Sequence, residues 1–159
     1  IYVGYRYYQT KNVPVAYPFG YGMSYTTFKY GKPVVTKDAQ GNVQVQVAVK
    51  NAGKMAGKEV VQVYVAAPGK DMEKPAKELR GFAKTKSLKP GESETVTILI
   101  PYENLASFNE TYSQWQVEAG DYKVMVAKNA ADTKPFTVVV NEKASVTSKV
   151  RPCLLPEVK

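Results

Sequence analysis

Hydrophobic and polar positions alternate along much of this chain with a period of two residues. In the stretch 43–50 every odd position is valine, and the even positions hold glutamine, alanine or lysine. This alternation places all the valines on one face of a β-strand, so it predicts a strand that is buried on one face and solvated on the other. The segment 59–66 repeats the pattern with Val61, Val63 and Val65. The chain is therefore expected to build antiparallel sheets.

Further strand-like runs are separated by turn signals such as Pro68-Gly69 and Pro90-Gly91. Proline and glycine supply the backbone angles that tight turns require, so these dipeptides mark the ends of strands. The lysine-rich stretch 70–77 is predicted as a loop, and 102–109 as a short helical turn or a bridging loop. Seven strands are predicted, at 26–36, 43–50, 59–66, 78–88, 95–100, 122–128 and 136–140, and residues 115–117 form a brief extended piece.

This spacing of short strands is typical of a sandwich of two β-sheets. The fold class is predicted as all-β, a seven-stranded antiparallel sandwich of the immunoglobulin or fibronectin type III-like kind with an extended N-terminal docking segment. The chain is divided into an extended interdomain segment at 1–25, the sandwich at 26–141 and a polar C-terminal tail at 142–159. The tail has little apolar surface to bury, so it is placed outside the sandwich.

The stretch 17–28 contains five aromatic residues and three residues that are proline or glycine. This composition does not suit a flexible linker, because large rings need an apolar surface to pack against. The stretch is therefore interpreted as a junction between two domains. Part of its packing surface is expected to lie outside this chain.

Composition and charge limit the class of protein. The chain has 159 residues, of which 44% are hydrophobic and 23% are charged, as in an ordinary globular domain. No apolar run approaches the ~20 residues needed to cross a bilayer, so no membrane insertion is expected. The net charge of +8 comes from lysines scattered along the chain, and only three residues are arginine. Because arginine dominates base and phosphate recognition, no nucleic-acid partner is expected.

Few residues are candidates for nucleophilic or imidazole chemistry. The chain has no histidine, which excludes catalytic triads and metal sites that depend on imidazole. The single cysteine, Cys153, has no histidine partner, so it is interpreted as an incidental thiol rather than a nucleophile. One cysteine also excludes an internal disulfide and leaves the redox compartment open.

Paired carboxylates are the remaining route to hydrolysis, as in glycosidases that place two acidic side chains beside a cleft. Three pairs are close in sequence, but none has the apolar surroundings that raise the pKa of a catalytic acid. No catalytic residue is therefore predicted. The pairs are Glu92 with Glu94, Asp71 with Glu73, and Glu118 with Asp121.

Metal and cofactor binding are not predicted either. The stretch 38–42 lacks the spaced oxygen ligands of a calcium loop, so it is interpreted as a turn. Gly20-Tyr21-Gly22 is not followed by the helix start or the lysine that a phosphate cradle needs. A packed aromatic turn is preferred there.

Aromatic residues leave one binding function open. Planar rings stack on sugar faces as they do on other apolar surfaces, so an exposed Tyr64, Tyr112 or Trp115 would favour a carbohydrate-binding or surface-binding module. In a β-sandwich, however, such residues more often belong to the core or to a sheet edge. Finding Trp115 buried would favour a structural role. Substrate-binding residues are left unassigned.

Several stretches together resemble one enzyme family. Residues 1–8 and 15–28 are similar to the part of glycoside hydrolase family 3 enzymes, the β-glucosidases and their relatives, that leaves the α/β sandwich domain and enters the C-terminal fibronectin type III-like domain. The stretch from Val47 to Tyr64 resembles that domain's run V-x-N-x-G-x-x-x-G-x-E-V-V-Q-V-Y, and 77–82 with 88–92 resemble its middle strands. The resemblance covers residues 1 to about 140.

The resemblance implies a longer parent enzyme that hydrolyses terminal β-linked sugars with retention. In that family an aspartate nucleophile lies on a (β/α)8 barrel and an acid/base carboxylate lies in the α/β sandwich domain. Both precede the matched part, so no catalytic residue is assigned to this chain. Two departures, Met23 where leucine is usual and Gln9 where aspartate is usual, do not touch catalysis. Neither the sugar nor the oligomeric state is indicated.

By this resemblance the chain is expected to be a non-catalytic accessory domain that braces the catalytic domains of its parent chain. No cofactor is expected. Residues 1 to about 20 would be the end of the preceding domain, and in the isolated chain they are expected either to be loosely held or to wrap back on the sandwich. The residues predicted to pack between domains are Tyr5, Arg6, Tyr7, Tyr17, Phe19, Tyr21 and Tyr25.

Overall fold

The computed structural model describes residues 1–151, which form two short helices and eleven β-strands. In chain order the elements are α1 (Tyr5–Thr10), β1 (Phe28–Tyr30), β2 (Val34–Lys37), β3 (Val43–Asn51), β4 (Val60–Ala66), β5 (Glu78–Lys84), β6 (Ser93–Ile100), the 3-10 helix Tyr102–Leu105, β7 (Ser107–Asn109), β8 (Gln114–Val117), β9 (Gly120–Ala127), β10 (Phe136–Glu142) and β11 (Ser145–Lys149). No helix in this part of the chain is long and apolar enough to span a membrane.

Two antiparallel sheets enclose the main core. In the first sheet β3 is central, with β6 on one side and both β1 and β2 on the other. The second sheet has the strand order β10-β9-β4-β5. The predicted all-β antiparallel sandwich is therefore confirmed.

The strand count differs from the prediction, with eleven strands in place of seven. The predicted strand 26–36 is divided into β1 and β2, because the chain is interrupted between them at 31–33. Pro33 in this interruption has no amide hydrogen to donate to β3. A small third sheet adds β7, β8 and β11 in the order β11-β8-β7. Its strands are short and largely polar, so they carry little of the alternation that signals a strand.

Strand β11 lies within the segment 142–159, which was predicted as a polar tail. It pairs with β8, and Ser145 of β11 lies opposite Val117. The structure therefore places residues 145–149 in a sheet. The last part of the tail, 152–159, lies outside the described residues.

The valine alternation correctly predicts the main core. Val43, Val45, Val47 and Val49 of β3 are all buried. They belong to one cluster with the inward valines of β4 and β9 and with the larger side chains of Leu88, Ile100 and Tyr122. Burial of these side chains from both sheets is the main favourable contribution to folding.

Strand β4 is buried on both faces, although its sequence alternation indicates only one. Gln62 and Tyr64 point away from the main core, yet they are 5% and 0% exposed. A second cluster covers this outer face of the second sheet, and the N-terminal segment supplies part of it. The cluster consists of Tyr64, Ala127 and Ala130, packed with Tyr5, Leu79 and Met125.

The first 25 residues, predicted as an extended segment, contain the six-residue helix α1. Gly4 precedes the helix with a φ of 59°, a left-handed conformation that glycine adopts without strain. At the other end, the Thr10 hydroxyl accepts the backbone N–H of Ala76 at 2.9 Å. The segment thus wraps back on the sandwich, which is one of the two behaviours expected of it.

Candidate functional site

The aromatic junction, defined here as residues 17–25, is fixed to the second sheet by Gln62. The side-chain nitrogen of Gln62 donates to the carbonyl oxygens of Gly20 at 2.9 Å and Lys128 at 2.7 Å. Its side-chain oxygen accepts the Tyr64 hydroxyl at 2.6 Å. Because this amide is buried and forms hydrogen bonds through both its nitrogen and its oxygen, it holds the backbone of the junction at a defined position.

Gly20 is required by this attachment. Its φ is 79°, and a Cβ atom added there would lie 2.0 Å from the side-chain oxygen of Gln62. The neighbouring carbonyl of Phe19 accepts the N–H of Ala130 at 2.8 Å. Any larger residue would be strained at this φ and would displace the Gln62 amide, so the glycine serves backbone packing rather than phosphate binding.

Two of the predicted interdomain residues pack within the chain itself. The rings of Tyr5 and Phe19 are stacked with their centroids 4.5 Å apart, and Tyr5 meets the edge of Tyr64 at 6.1 Å. The Tyr5 hydroxyl also accepts the backbone N–H of Leu79 at 2.7 Å. These contacts cover the outer face of β4, so Tyr5 and Phe19 have a partner inside the described structure.

The other five predicted interdomain residues are one arginine and four tyrosines. Arg6 forms an ion pair with Glu78 at 3.3 Å, so its charge is engaged within the chain. The remaining four are exposed tyrosines: Tyr7, Tyr17, Tyr21 and Tyr25. Two of them, Tyr17 and Tyr21, lie 5.5 Å apart between ring centroids. Their contact with another domain stays a prediction.

A groove of about 620 Å³ lies between the aromatic junction and strand β5, and we name it the β5 groove. Val60 and Gln62 of β4 contribute to its lining, as do Met23 and Phe82, which are 89% and 67% exposed. Three lysines and one glutamate also line it: Lys58, Lys84, Lys128 and Glu59. The groove therefore combines exposed apolar side chains with polar ones and carries an excess of positive charge.

Sequence reasoning did not single out Phe82. Its neighbour Gly81 faces the core, since a Cβ atom added there would lie 2.6 Å from Cγ2 of Ile98. Phe82 must therefore point to the outer face of the second sheet. An aromatic residue where the two-residue period calls for a polar one is the signal that could have identified this surface.

A smaller groove of about 270 Å³ lies beside the third sheet. Phe108 and Trp115 are cross-strand partners in β7 and β8, and their ring centroids lie 5.5 Å apart. The groove is also lined by Arg6, Glu78 and Arg80, and Arg80 contacts the Glu78 carboxylate at 2.6 Å. Trp115 is 45% exposed, so it is not the buried residue that would favour a purely structural role.

The other two aromatic candidates for sugar binding differ from each other. Tyr112 is exposed, in the turn between β7 and β8. The expectation for Tyr64 is corrected, because its ring is fully buried beneath Tyr5 and Lys77. Burial raises the pKa of the Tyr64 hydroxyl. Tyr64 cannot contact a ligand without removal of the N-terminal segment.

Asn51, in the V-x-N-x-G run, is a structural residue. Its side-chain oxygen accepts the Thr26 hydroxyl at 2.6 Å and the Gly53 N–H at 3.0 Å. Its side-chain nitrogen donates to the carbonyls of Met55 at 2.7 Å and Leu88 at 2.8 Å. The amide is wholly buried with four bonds, so this motif organises loops rather than chemistry.

Glu118, one of the acidic residues considered for catalysis, is buried and paired. Its carboxylate lies 3.1 Å from the ammonium of Lys74 and accepts the backbone N–H groups of Lys70 and Asp71. Burial by itself would raise the pKa of Glu118, but Lys74 and the two N–H groups outweigh it and hold that pKa below its usual value. A carboxylate held in this way anchors the loop 70–77.

The other carboxylate pairs also bond within the chain. Glu92 pairs with Lys86 at 3.0 Å, and Glu94 accepts the Lys86 N–H at 2.8 Å. Asp121 accepts a side-chain amide and Glu73 accepts a tyrosine hydroxyl. Among the described residues, no group of three or more acidic, cysteine or histidine side chains could hold a metal ion. Cys153 lies outside the described part of the chain.

Known proteins are similar to this chain in both sequence and fold. Residues 59–130 match the family model of the fibronectin type III-like domain. The thermostable β-glucosidase B of Acetivibrio thermocellus is 41% identical over 154 residues, which is 95% of this chain and 20% of that enzyme. The structure of β-glucosidase 3B from Thermotoga neapolitana in complex with glucose has a TM-score of 0.86 and 45% identity, covering 92% of this chain and 20% of that one.

A third comparison names the enzyme family. The GH3 β-glucosidase structure from Bifidobacterium adolescentis matches with a TM-score of 0.84 and 36% identity, over 99% of this chain and 23% of that one. This chain thus spans about a fifth of the length of the relatives it matches. The sandwich, the motifs and these matches confirm the resemblance seen in the sequence. Residues 59–130 thus form a fibronectin type III-like domain, and the chain corresponds to the part of glycoside hydrolase family 3 enzymes of the β-glucosidase type that contains this domain.

Proposed function

We propose that this chain is the non-catalytic accessory domain of a longer glycoside hydrolase of the β-glucosidase type, and that it braces the catalytic domains. The observation that carries the proposal is the aromatic junction, whose backbone is fixed by Gln62 while Tyr17 and Tyr25 are 75% and 97% exposed. The names of the relatives, of which this chain spans about a fifth, support a parent with β-glucosidase activity.

Rings held on a rigid support suit domain packing. Complete burial of one large apolar side chain contributes on the order of 1.5–3 kcal/mol. A surface fixed in advance loses little conformational entropy when it meets its partner. A few of the exposed tyrosines are therefore enough to hold a neighbouring domain in place.

The bracing function is tested in the longer enzyme by removing residues 26–159. We expect the melting temperature of the remaining catalytic part to fall by several degrees, since it loses a packed surface. The double variant Tyr17→Ser/Tyr25→Ser should produce part of this loss, whereas Tyr112→Ser, an exposed tyrosine elsewhere, should not. Unchanged melting after the deletion would contradict the proposal.

The non-catalytic character is tested on the purified chain of residues 1–159 with a chromogenic β-glucoside. We expect no hydrolysis above the buffer blank, because five of the six acidic side chains of the candidate pairs are bonded within the fold. Hydrolysis that follows the chain through purification would overturn this part of the proposal.

A second candidate function, binding of a glucose-containing oligosaccharide, is favoured by the exposed Trp115 in the smaller groove. The rings of Phe108 and Trp115 offer an apolar face, and the Arg6, Glu78 and Arg80 side chains offer donors and acceptors for hydroxyl groups. Such a site would hold substrate near the enzyme without taking part in hydrolysis.

Trp115 is the only tryptophan of the chain, so its fluorescence reports on this groove alone. Titration with cello-oligosaccharides should change that fluorescence with a Kd of about 1 mM or lower if the groove binds sugar. Calorimetry should show loss of binding in Trp115→Ala but not in Tyr112→Ala. A flat titration would exclude this second function.

A further inference from the structure

We propose that the β5 groove is a contact surface for the catalytic part of the longer enzyme, and that it receives an apolar side chain flanked by carboxylates. The inference rests on the accessory function proposed above. It concerns mainly Met23, Phe82 and the lysines of the groove, and Tyr21 is the one exposed junction tyrosine that also lines it. Three properties of the groove support it: exposed apolar walls, an excess of positive charge and a rigid floor.

The walls of the groove expose more apolar surface than the fold requires. Met23 and Phe82 are 89% and 67% exposed, and Phe19 and Tyr21 are about half exposed beside them. Neither Met23 nor Phe82 belongs to either hydrophobic cluster of the described residues. Single exposed apolar residues are common, but several around one groove mark an interaction site.

The charge of the groove indicates an acidic partner. Three lysines line it against one glutamate, and that residue, Glu59, accepts the Tyr30 hydroxyl at 2.8 Å. Within residues 1–151, neither Lys58 nor Lys84 forms an ion pair. Carboxylates placed beside these two lysines would gain charge-assisted hydrogen bonds without displacing an existing partner.

The floor of the groove is built from regular structure. Gln62 in β4 lies opposite Phe82 in β5, and the Gln62 side chain is tied to Gly20 and Lys128. The cavity of about 620 Å³ is therefore preformed, and its size lies within the range of protein binding pockets. A preformed site loses little conformational entropy on binding.

These properties define the occupant by its chemistry. An extended segment with one aromatic or long aliphatic residue can place that side chain between Met23 and Phe82. Aspartate or glutamate residues beside it then face Lys58 and Lys84. Because the lining carries a net positive charge, a neutral or basic segment would fit less well.

Two methionines of the chain allow a direct test in the full-length enzyme. Met23 lines the groove, whereas Met55 is 58% exposed outside it, and both are open to hydrogen peroxide in the chain alone. Mass spectrometry of the native full-length enzyme should find Met23 oxidised at least tenfold more slowly than Met55. Oxidation of Met23 as fast as that of Met55 would overturn the proposal.

Variants test the two parts of the recognition separately. Phe82→Ser, and the double variant Lys58→Glu/Lys84→Glu, should each speed up Met23 oxidation in the full-length enzyme several-fold. Leu99→Ser and Lys50→Glu replace exposed residues of the first sheet, and should leave the rate within twofold. Protection of Met23 that survives the lysine reversal would overturn the acidic character of the occupant.

The outcome is distinguishable from failure of the accessory function itself. If deletion of residues 26–159 destabilises the catalytic part while Met23 oxidises as fast as Met55, bracing stands and the β5 groove is not its contact. If the deletion has no effect and Met23 oxidises as fast as Met55, both the bracing function and the contact at the β5 groove are refuted.

Discussion

Asn51 joins three segments of the fold through one buried side chain. Its four hydrogen bonds reach Thr26 directly after the aromatic junction, the loop at 53–55, and Leu88 before β6. A residue in this position is sensitive to substitution, because its bonds to Thr26 and Leu88 are buried, where water does not readily replace them.

We predict that Asn51→Ala lowers the free energy of unfolding by about 3 kcal/mol, since it removes four hydrogen bonds, two of them buried. Urea denaturation of the purified chain measures the change. Asn141→Ala, which removes an exposed amide bonded to Asp121, is the matched control and should cost less than about 0.5 kcal/mol. Equal losses in the two variants would contradict the structural role of Asn51.

The buried pair of Glu118 and Lys74 gives the stability of the chain a dependence on pH. The pKa of Glu118 is lower in the folded chain than its usual value of 4.5. Unfolding in acid therefore takes up a proton at this group. The stability that the charged carboxylate provides is complete above that usual value, and is lost as the pH falls through the lowered folded value.

We predict that Glu118→Gln flattens the fall in unfolding free energy below a pH of about 4.5. Lys74→Met should cost about 3 kcal/mol at neutral pH, because it leaves a buried carboxylate without its cation. Urea titrations at several pH values measure both effects. Glu110→Gln, which replaces an exposed carboxylate in the turn before β8, should leave the pH profile unchanged. A pH profile of Glu118→Gln identical to that of the unsubstituted chain would refute the role assigned to Glu118.

Single residues were predictable from the sequence when their environment is local. The valines of β3 alternate from residue 43 to residue 49, and the structure buries them as that pattern requires. The burial of Tyr64 was not predictable, because the Tyr5 ring that covers it lies far away in the sequence. Glu118 and Lys74 are likewise brought together only by the folded loop.

At the scale of elements, Gly53 sets how closely the residues directly after the aromatic junction approach the loop after β3. A Cβ atom added to Gly53 would lie 2.1 Å from the Thr26 hydroxyl and 2.8 Å from the backbone nitrogen of Thr27. A backbone atom at that distance cannot move without displacing the strand that follows. At Gly22, in contrast, nothing lies within 4 Å of the added atom.

We predict that Gly53→Ala destabilises the chain by about 2 kcal/mol through this overlap. Gly22→Ala is the matched control and should be neutral or slightly stabilising, because the site is open and alanine lowers the entropy of the unfolded chain. Thermal and urea denaturation compare the two. Equal stability of the Gly53 and Gly22 variants would show that the loop can shift at little cost.

The existence of elements was easier to predict than their number. Strands with strong alternation, such as β3 and β6, appear where the sequence indicates them. The division into β1 and β2 depends on Pro33, which lacks the amide hydrogen that a neighbouring strand would need for pairing. That effect is seen only when the neighbouring strand is known. Strand β11 pairs with β8 through backbone hydrogen bonds, which nearly any sequence can form. Its polar composition therefore did not indicate a strand.

At the scale of the whole molecule, the N-terminal segment is part of the cover of the sandwich. Its helix and junction lie on the outer face of the second sheet and bury Tyr64 and Gln62. The resemblance in the sequence identified the family, and the border between domains that it implies stays a prediction. It left open whether the segment is loosely held or returns to the sandwich, because the return depends on contacts between distant residues.

We predict that a chain starting at Met23 is less stable than the chain of residues 1–159 by about 2 kcal/mol or more. The truncation exposes Tyr64 and removes the Gly20 carbonyl that Gln62 binds. Urea denaturation measures the loss, and a dye that binds exposed apolar surface should bind the truncated chain more strongly. An unchanged midpoint would show that the segment adds nothing to folding.

The bonds of Gln62 also decide where this protein can be recombined with its relatives. The Gln62 side chain donates hydrogen bonds to two backbone carbonyls, that of Gly20 in the junction and that of Lys128 after β9. A chimera whose crossover point falls between Gly20 and β4 combines a junction from one parent with a glutamine site from another. Crossovers placed before Tyr5 inherit both from the same parent, so they are the exchanges that should yield folded hybrids.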